Sequence, residues 1–207
     1  LATAGDDHKV RIWDVATGTM RSQIDAGNEA IWDAALSPNG EFIVSGAADG
    51  SLVLWDGATG AEKLRFVGHN FDVLTVEFSP DSQTLVYGAG DGTLGLWETD
   101  SGSFIRQFAG HTSAVFAAAF SPDGQTLITG AGNGELIVWN VSTGEIVRRL
   151  SAGATPVNDI AFSPDGQSFI SGSDDGTLLL WDLEGNVVQQ FVGARSGVWE
   201  LAFTPAG

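Results

Sequence analysis

The chain has 207 residues, 28 of them glycine, with 43% hydrophobic and only 17% charged residues, and 9 Lys+Arg stand against 26 Asp+Glu for a net charge of −17. Such a composition is neither disordered nor collagen-like, and without cysteine it holds no disulfide framework and no thiolate metal site. The absence of any apolar run of about 18 residues excludes a membrane-crossing helix, and the acidic balance leaves no basic footprint for nucleic acid or an anionic membrane surface.

Self-similarity organises the rest. Trp13, Trp55, Trp97, Trp139 and Trp181 lie 42 residues apart, each followed by a small polar or acidic residue: Asp14, Asp56, Glu98, Asn140 and Asp182. Pro38, Pro80, Pro122 and Pro164 keep the same spacing inside turns such as Ser37-Pro38-Asn39-Gly40 and Ser121-Pro122-Asp123-Gly124. The last copy, Thr204-Pro205-Ala206-Gly207, comes one residue early because the turn Asp182-Leu183-Glu184-Gly185 is one residue shorter than its counterparts.

In chain order, residues 1–27 carry the second to fourth strands of a first unit, beginning at Leu1-Ala2-Thr3. Residues 28–69, 70–111, 112–153 and 154–194 are repeats, and 195–207 hold one further first strand, Val198 to Phe203, able to complete the first unit. Leu52-Val53-Leu54-Trp55 is apolar at every position, which predicts a strand buried on both faces. In the 112–153 repeat, Val115 to Phe120 is an apolar strand closed by a Ser-Pro-Asp-Gly turn. Leu127 to Thr129 follows, ended by the hairpin signal Gly132-Asn133-Gly134. Leu136 to Trp139 is third, and the polar Glu145 to Leu150 has the character of an edge strand. Leu178-Leu179-Leu180-Trp181 repeats the doubly buried pattern. Short strands and glycine-rich turns leave no room for a helix, so the predicted class is all-β, with four-stranded sheets stacked face to face. The Gly-rich run Gly130 to Gly134 turns between strands and opens no helix, so it is no phosphate loop.

With Gly68-His69, Gly110-His111, the Ser-Pro-Asp-Gly turns, Ser171-Gly172-Ser173-Asp174-Asp175-Gly176 and the Trp-Asp strand ends in place, the whole chain resembles the WD40-repeat β-propellers. The resemblance implies four-stranded antiparallel blades. Five repeats are present, forming either a closed five-blade ring or part of a larger, usually seven-bladed, propeller. An open ring would allow self-association through its apolar end faces.

The resemblance also implies a structural hydrogen-bond network in each blade, joining the His of Gly-His, a strand Ser or Thr, a hairpin Asp and the strand-end Trp. The candidate sets are His69, Tyr87, Asp91 and Trp97, and His111, Thr129, Asn133 and Trp139. Ser45, Asp49 and Trp55, and likewise Ser171, Asp175 and Trp181, lack the imidazole because Gly27 and Gly153 stand at its position. Thr3, Asp7 and Trp13 form the first set, with His8 in place of the hairpin glycine. Because the set recurs in every repeat, it reads as a fastening, not a nucleophilic triad.

Binding is expected where the first strands begin, which the resemblance places at the mouth of a central channel. The aligned column reads Trp32, Leu74, Phe116, Asn158 and Trp199, with the carboxylates of Asp33, Asp72, Asp159 and Glu200 close by in sequence. Buried aromatic anchors carry most binding energy at interfaces, and acids beside them suit a segment bearing Lys or Arg. Core packing between blades competes as a role for Trp32 and Trp199, since the column shares strand parity with Leu36 and Phe203. The expected function is a non-catalytic scaffold or recognition module for a protein or peptide of basic character, without cofactor or metal, in the cytoplasm. The alternatives are an architectural or sensor segment of a larger regulatory protein, and a hydrolase using Asp33, Asp159 and Glu200.

Overall fold

A computed structural model describes residues 1–27, 29–67, 71–193 and 196–204. The chain forms two compact units, Leu1–Gly90 with Gly95–Arg106, and Asp91–Leu94 with Gln107–Gly207. Among the described residues every regular element is a strand. Among the described residues no helix is long and apolar enough to cross a membrane, and no group of three or more His, Asp and Glu is placed to hold a metal ion.

In the first unit, β1 (Ala2–Ala4), β2 (Lys9–Trp13) and β3 (Met20–Asp25) make a three-stranded antiparallel sheet. The next sheet has the order β4 (Ile31–Leu36), β5 (Phe42–Ala47), β6 (Leu52–Asp56), β7 (Glu62–Phe66). The third runs β8 (Val73–Phe78), β9 (Thr84–Ala89), β10 (Leu94–Glu98), β11 (Phe104–Gln107). The second unit holds β12 (Val115–Phe120), β13 (Thr126–Ala131), β14 (Glu135–Asn140) and β15 (Ile146–Ser151). Its other sheet is β16 (Val157–Phe162), β17 (Ser168–Ser173), β18 (Leu178–Asp182) and β19 (Val187–Phe191).

The inner strands are buried on both faces, as their unbroken apolar runs require: all six residues of β5 and the first four of β6 are buried. In the first unit one core joins Val44, Leu54, Phe66, Val73, Val76, Leu85 and Trp97, and another joins Val10, Ile24, Ile43, Val53 and Trp55. In the second, Ile128, Leu136, Val157, Ile160, Phe169 and Trp181 pack together. Sheet-to-sheet approach is close. A Cβ on Gly46 would stand 2.5 Å from Val73 Cγ1, and one on Gly130 would stand 2.7 Å from Val157 Cγ1.

The proline turns are cross-braced. Ser79, Ser121 and Ser163 each donate to the aspartate two residues on, at 2.6 Å, and each hydroxyl accepts the amide five residues on, at 2.9–3.0 Å. The serine hydroxyls accordingly hold Asp81, Asp123 and Asp165 below the ordinary carboxylate range. In the first hairpin His8 adopts a φ of 64°, the left-handed conformation that Gly50, Gly92, Gly134 and Gly176 take in the others.

Candidate functional site

Each first strand within the four-stranded sheets is irregular at one register. Pairing jumps from Ile31 to Asp33, Val73 to Thr75, Val115 to Ala117 and Val157 to Asp159. Trp32, Leu74, Phe116 and Asn158 are the residues skipped. A bulge of this kind leaves one residue out of the ladder and re-aims its side chain. Four of the five residues in that column thus sit at bulges, whereas Trp199 lies in the described segment 196–204, where the expected strand Val198 to Phe203 is not formed.

Their surroundings differ. In the first unit Trp32 is 53% exposed and Leu74 is half-buried. Leu36, which shares its strand parity, is also exposed, while Ala34 between them packs against the core of Val10, Ile43 and Trp55, so parity alone does not assign Trp32 to a face. In the second unit the Phe116 ring is half-buried and packs over Gly132, where a Cβ would meet it at 3.1 Å. Asn158 Nδ2 donates to the Val198 carbonyl at 3.1 Å. Trp199 is 71% exposed, and Glu200 beside it is exposed.

Two of the acids have structural partners. Asp33 Oδ1 accepts the Ala34 amide at 2.7 Å, and its Oδ2 accepts the Val76 amide, 43 residues on, at 2.9 Å. Asp159 does the same with the amides of Ile160, at 2.8 Å, and Leu201. Each carboxylate thus staples its own strand to the segment aligned with it in the next repeat. Asp33→Ala is expected to leave two part-buried amides without acceptors and to cost about 1–3 kcal/mol. Asp33→Asn, which keeps one acceptor oxygen, should lose less; urea midpoints measure both. Asp72 and Glu200 are the two remaining acids of the expected set, Asp72 half-buried in the first unit and Glu200 exposed in the second.

The fastening network is visible repeat by repeat. The indole N–H donates to the strand hydroxyl in Trp13–Thr3 (2.8 Å), Trp55–Ser45 (2.9 Å), Trp139–Thr129 (2.8 Å) and Trp181–Ser171 (2.9 Å). Trp97 packs edge-on against Phe66 and Phe104. Tyr87 fills the space of the small hydroxyl, and Gly95 opposite makes room for it, since a Cβ there would lie 2.5 Å from the Tyr87 ring. His69 lies outside the described residues. The hairpin acids cap their own turns: Asp49, Asp91 and Asp175 accept the amides of Ser51, Thr93 and Thr177, at 2.8–2.9 Å. Asp7 pairs with Arg11. The strand-end Asp14 caps the Thr17 amide and binds Arg21, whose hydrogen bonds chiefly bring its carboxyl down to about 2.

Around His111 the set departs from expectation. Asn133 accepts the Glu135 amide at 3.2 Å, and the acid facing His111 Nδ1, at 3.3 Å, is Glu135. Glu135 is held in turn by Arg149 Nη1 at 2.5 Å, while Arg149 Nη2 donates to the Gly110 carbonyl at 3.1 Å. His111 Nε2 lies 2.7 Å from Thr129 Oγ1. A carboxylate only accepts, so the facing Glu135 favours the tautomer with the proton on Nδ1 and Nε2 accepting the Thr129 hydroxyl, although Nδ1 and Glu135 do not meet in hydrogen-bond geometry. Burial pushes the imidazole below its ordinary pKa and Arg149 adds to that, while Glu135 opposes it.

The family described as IFT122 first beta-propeller matches residues 1–207. The chain belongs to that family. This WD40-type propeller also resembles a solved structure, the computationally designed Ika8 protein, at 28% identity and a TM-score of 0.82. The match covers 98% of the propeller chain and 62% of the designed one, so the chain spans less than two thirds of that protein's length. No curated protein matches it. Sequence reasoning missed two features of the propeller: the bulges, and Glu135 with Arg149. Asn133 in place of an aspartate was the available signal that His111 needed another acid.

Proposed function

We propose that the chain is a non-catalytic recognition module that binds protein or peptide segments through the bulge residues of its first strands. The observation carrying this is the bulge repeated at one register, which presents a different side chain each time on an otherwise repeated frame: tryptophan, leucine, phenylalanine, asparagine. Within each unit, a constant scaffold with a different residue at each bulge suits contact with varied partner side chains, whereas chemistry needs one concentrated site. The exposed Trp32 in the first unit and Trp199 in the second have the amphipathic, rigid character of interface anchors. Basic character in the partner follows from Asp72, Glu200 and the net charge of −17. The hydrolase alternative is disfavoured because both oxygens of Asp33 and of Asp159 accept backbone amides, donors that favour the ionised carboxylate over the protonated form a general acid needs.

Selection of random displayed peptides on the chain is expected to enrich sequences with an aromatic or aliphatic residue near Lys or Arg. Trp32→Ala or Trp199→Ala should weaken the selected peptides by about tenfold or more without lowering the melting temperature. Peptides that bind both variants as tightly as the parent chain would overturn the assignment.

A further inference from the structure

The outer strands of four of the five sheets carry most of the cations of an acidic chain: Arg21, Lys63, Arg65, Arg106, Arg148 and Arg149 are six of nine. In the second unit the described cations are Arg148 and Arg149 alone, adjacent on β15. Two residues past Arg149, and still on β15, comes Ser151. Among all the serines and threonines of the chain, it alone has two Lys or Arg within the preceding three residues. Arg148, Arg149 and Ser151 are all exposed, and β15 pairs only with β14, so its outer edge is open among the described residues. The segment is already extended, as a substrate must be to lie in a kinase groove, and strand ends at a sheet edge detach at low free-energy cost. Kinases select such acceptors by charge pattern.

We propose that Ser151 is a phosphoacceptor for an arginine-directed serine/threonine kinase. Ser151 Oγ attacks the γ-phosphorus of ATP; the Oγ–P bond forms, the bond to the β-bridging oxygen breaks, ADP leaves, and the hydroxyl proton passes to the kinase's catalytic aspartate. The ladder gives the modification a local consequence. Ser151 pairs directly with Glu135, and Arg149 on the same strand face binds Glu135. A phosphate adds about −1.5 to −2 charge and competes for the guanidinium bidentately. It therefore draws Arg149 from Glu135 and adds negative charge near His111, whose facing charged groups are Glu135 and Arg149. The imidazole then holds its proton to higher pH.

The full chain with Mg·ATP and the catalytic subunit of a cyclic-AMP-dependent kinase is expected to take one phosphate, located on Ser151 by fragment mass analysis and absent in Ser151→Ala. Arg148→Ala and Arg149→Ala should each slow incorporation by about tenfold or more. The His111 ring, followed by NMR, should titrate at higher pH in the phosphorylated chain. The proposal fails if Ser151 stays unmodified under conditions that fully phosphorylate the free peptide 145–155, or if its modification ignores both arginine substitutions. An unmoved His111 midpoint would overturn the coupling.

Discussion

Gly130→Val is expected to lower the melting temperature by about 5 °C or more, from overpacking of roughly 1–3 kcal/mol or above. Glycine inside a strand ordinarily weakens it, yet Gly46, Gly130 and Gly172 occupy the same place in three repeats. The reason is the neighbouring valine. Added Cβ atoms would stand 2.5, 2.7 and 2.5 Å from Cγ1 of Val73, Val157 and Val198, and 3.0, 2.8 and 2.9 Å from their Cβ atoms. A β-branched side chain has little rotamer freedom with which to yield, Val157 is fully buried, and Ile160 Cδ1 would stand 3.2 Å from the same Cβ added on Gly130. Relief must come from moving β16 away from β13, which opens the core shared by Ile128, Val157 and Phe169. Gly130→Ala should fall between parent and valine variant. Calorimetry measures the series, and equal melting temperatures would show that the sheets do not touch through these glycines.

The second large effect centres on Thr129. Its hydroxyl oxygen accepts from Trp139 and the hydroxyl donates to His111, and Thr129 and Trp139 are fully buried. Thr129→Val preserves shape but leaves a buried indole N–H and a buried imidazole nitrogen without partners. At about 1–3 kcal/mol for each unmet group, the loss is about 2–6 kcal/mol, whereas Thr129→Ser should stay near the parent. The same network sets a pH dependence. His111 titrates below its ordinary value in the folded chain, so the unfolded chain binds the proton first as pH falls. Its contribution to stability is complete above the ordinary histidine pKa and is lost as pH drops from there through the folded-state value. The slope is at most about 1.4 kcal/mol per pH unit for one proton. Urea unfolding between pH 7.5 and 5 should show this decline, and His111→Gln should flatten it.

The repeat and the strands were legible in sequence because spacing and apolar runs encode them directly, whereas the strand-end tryptophan bonds were expected only through the resemblance to the WD40 family. Leu136 to Trp139, for example, lies inside the observed β14. The bulges were not. Ile31-Trp32-Asp33 and Val115-Phe116-Ala117 share no residue type at the skipped position, because a bulge is a matter of backbone pairing with the neighbouring strand. The roles of Asp33 and Asp159 were hidden for a related reason. A carboxylate at the start of a strand looks available until the amide 42 or 43 residues on is placed beside it. Glu135 stood two residues from the expected Asn133, close enough in space but outside the motif that named the network.

The claim that the exposed Trp32 and Trp199 are contact points for partner segments is tested most directly by the indole N–H resonances. The chain has seven tryptophans. Five close strand ends, and Trp32 and Trp199 stand exposed. Titrating a selected basic peptide into the 15N-labelled chain is predicted to shift or broaden the Trp32 or Trp199 indole while those of Trp13, Trp55, Trp97, Trp139 and Trp181 stay in place. Binding that moves the strand-end indoles and leaves Trp32 and Trp199 untouched would contradict it.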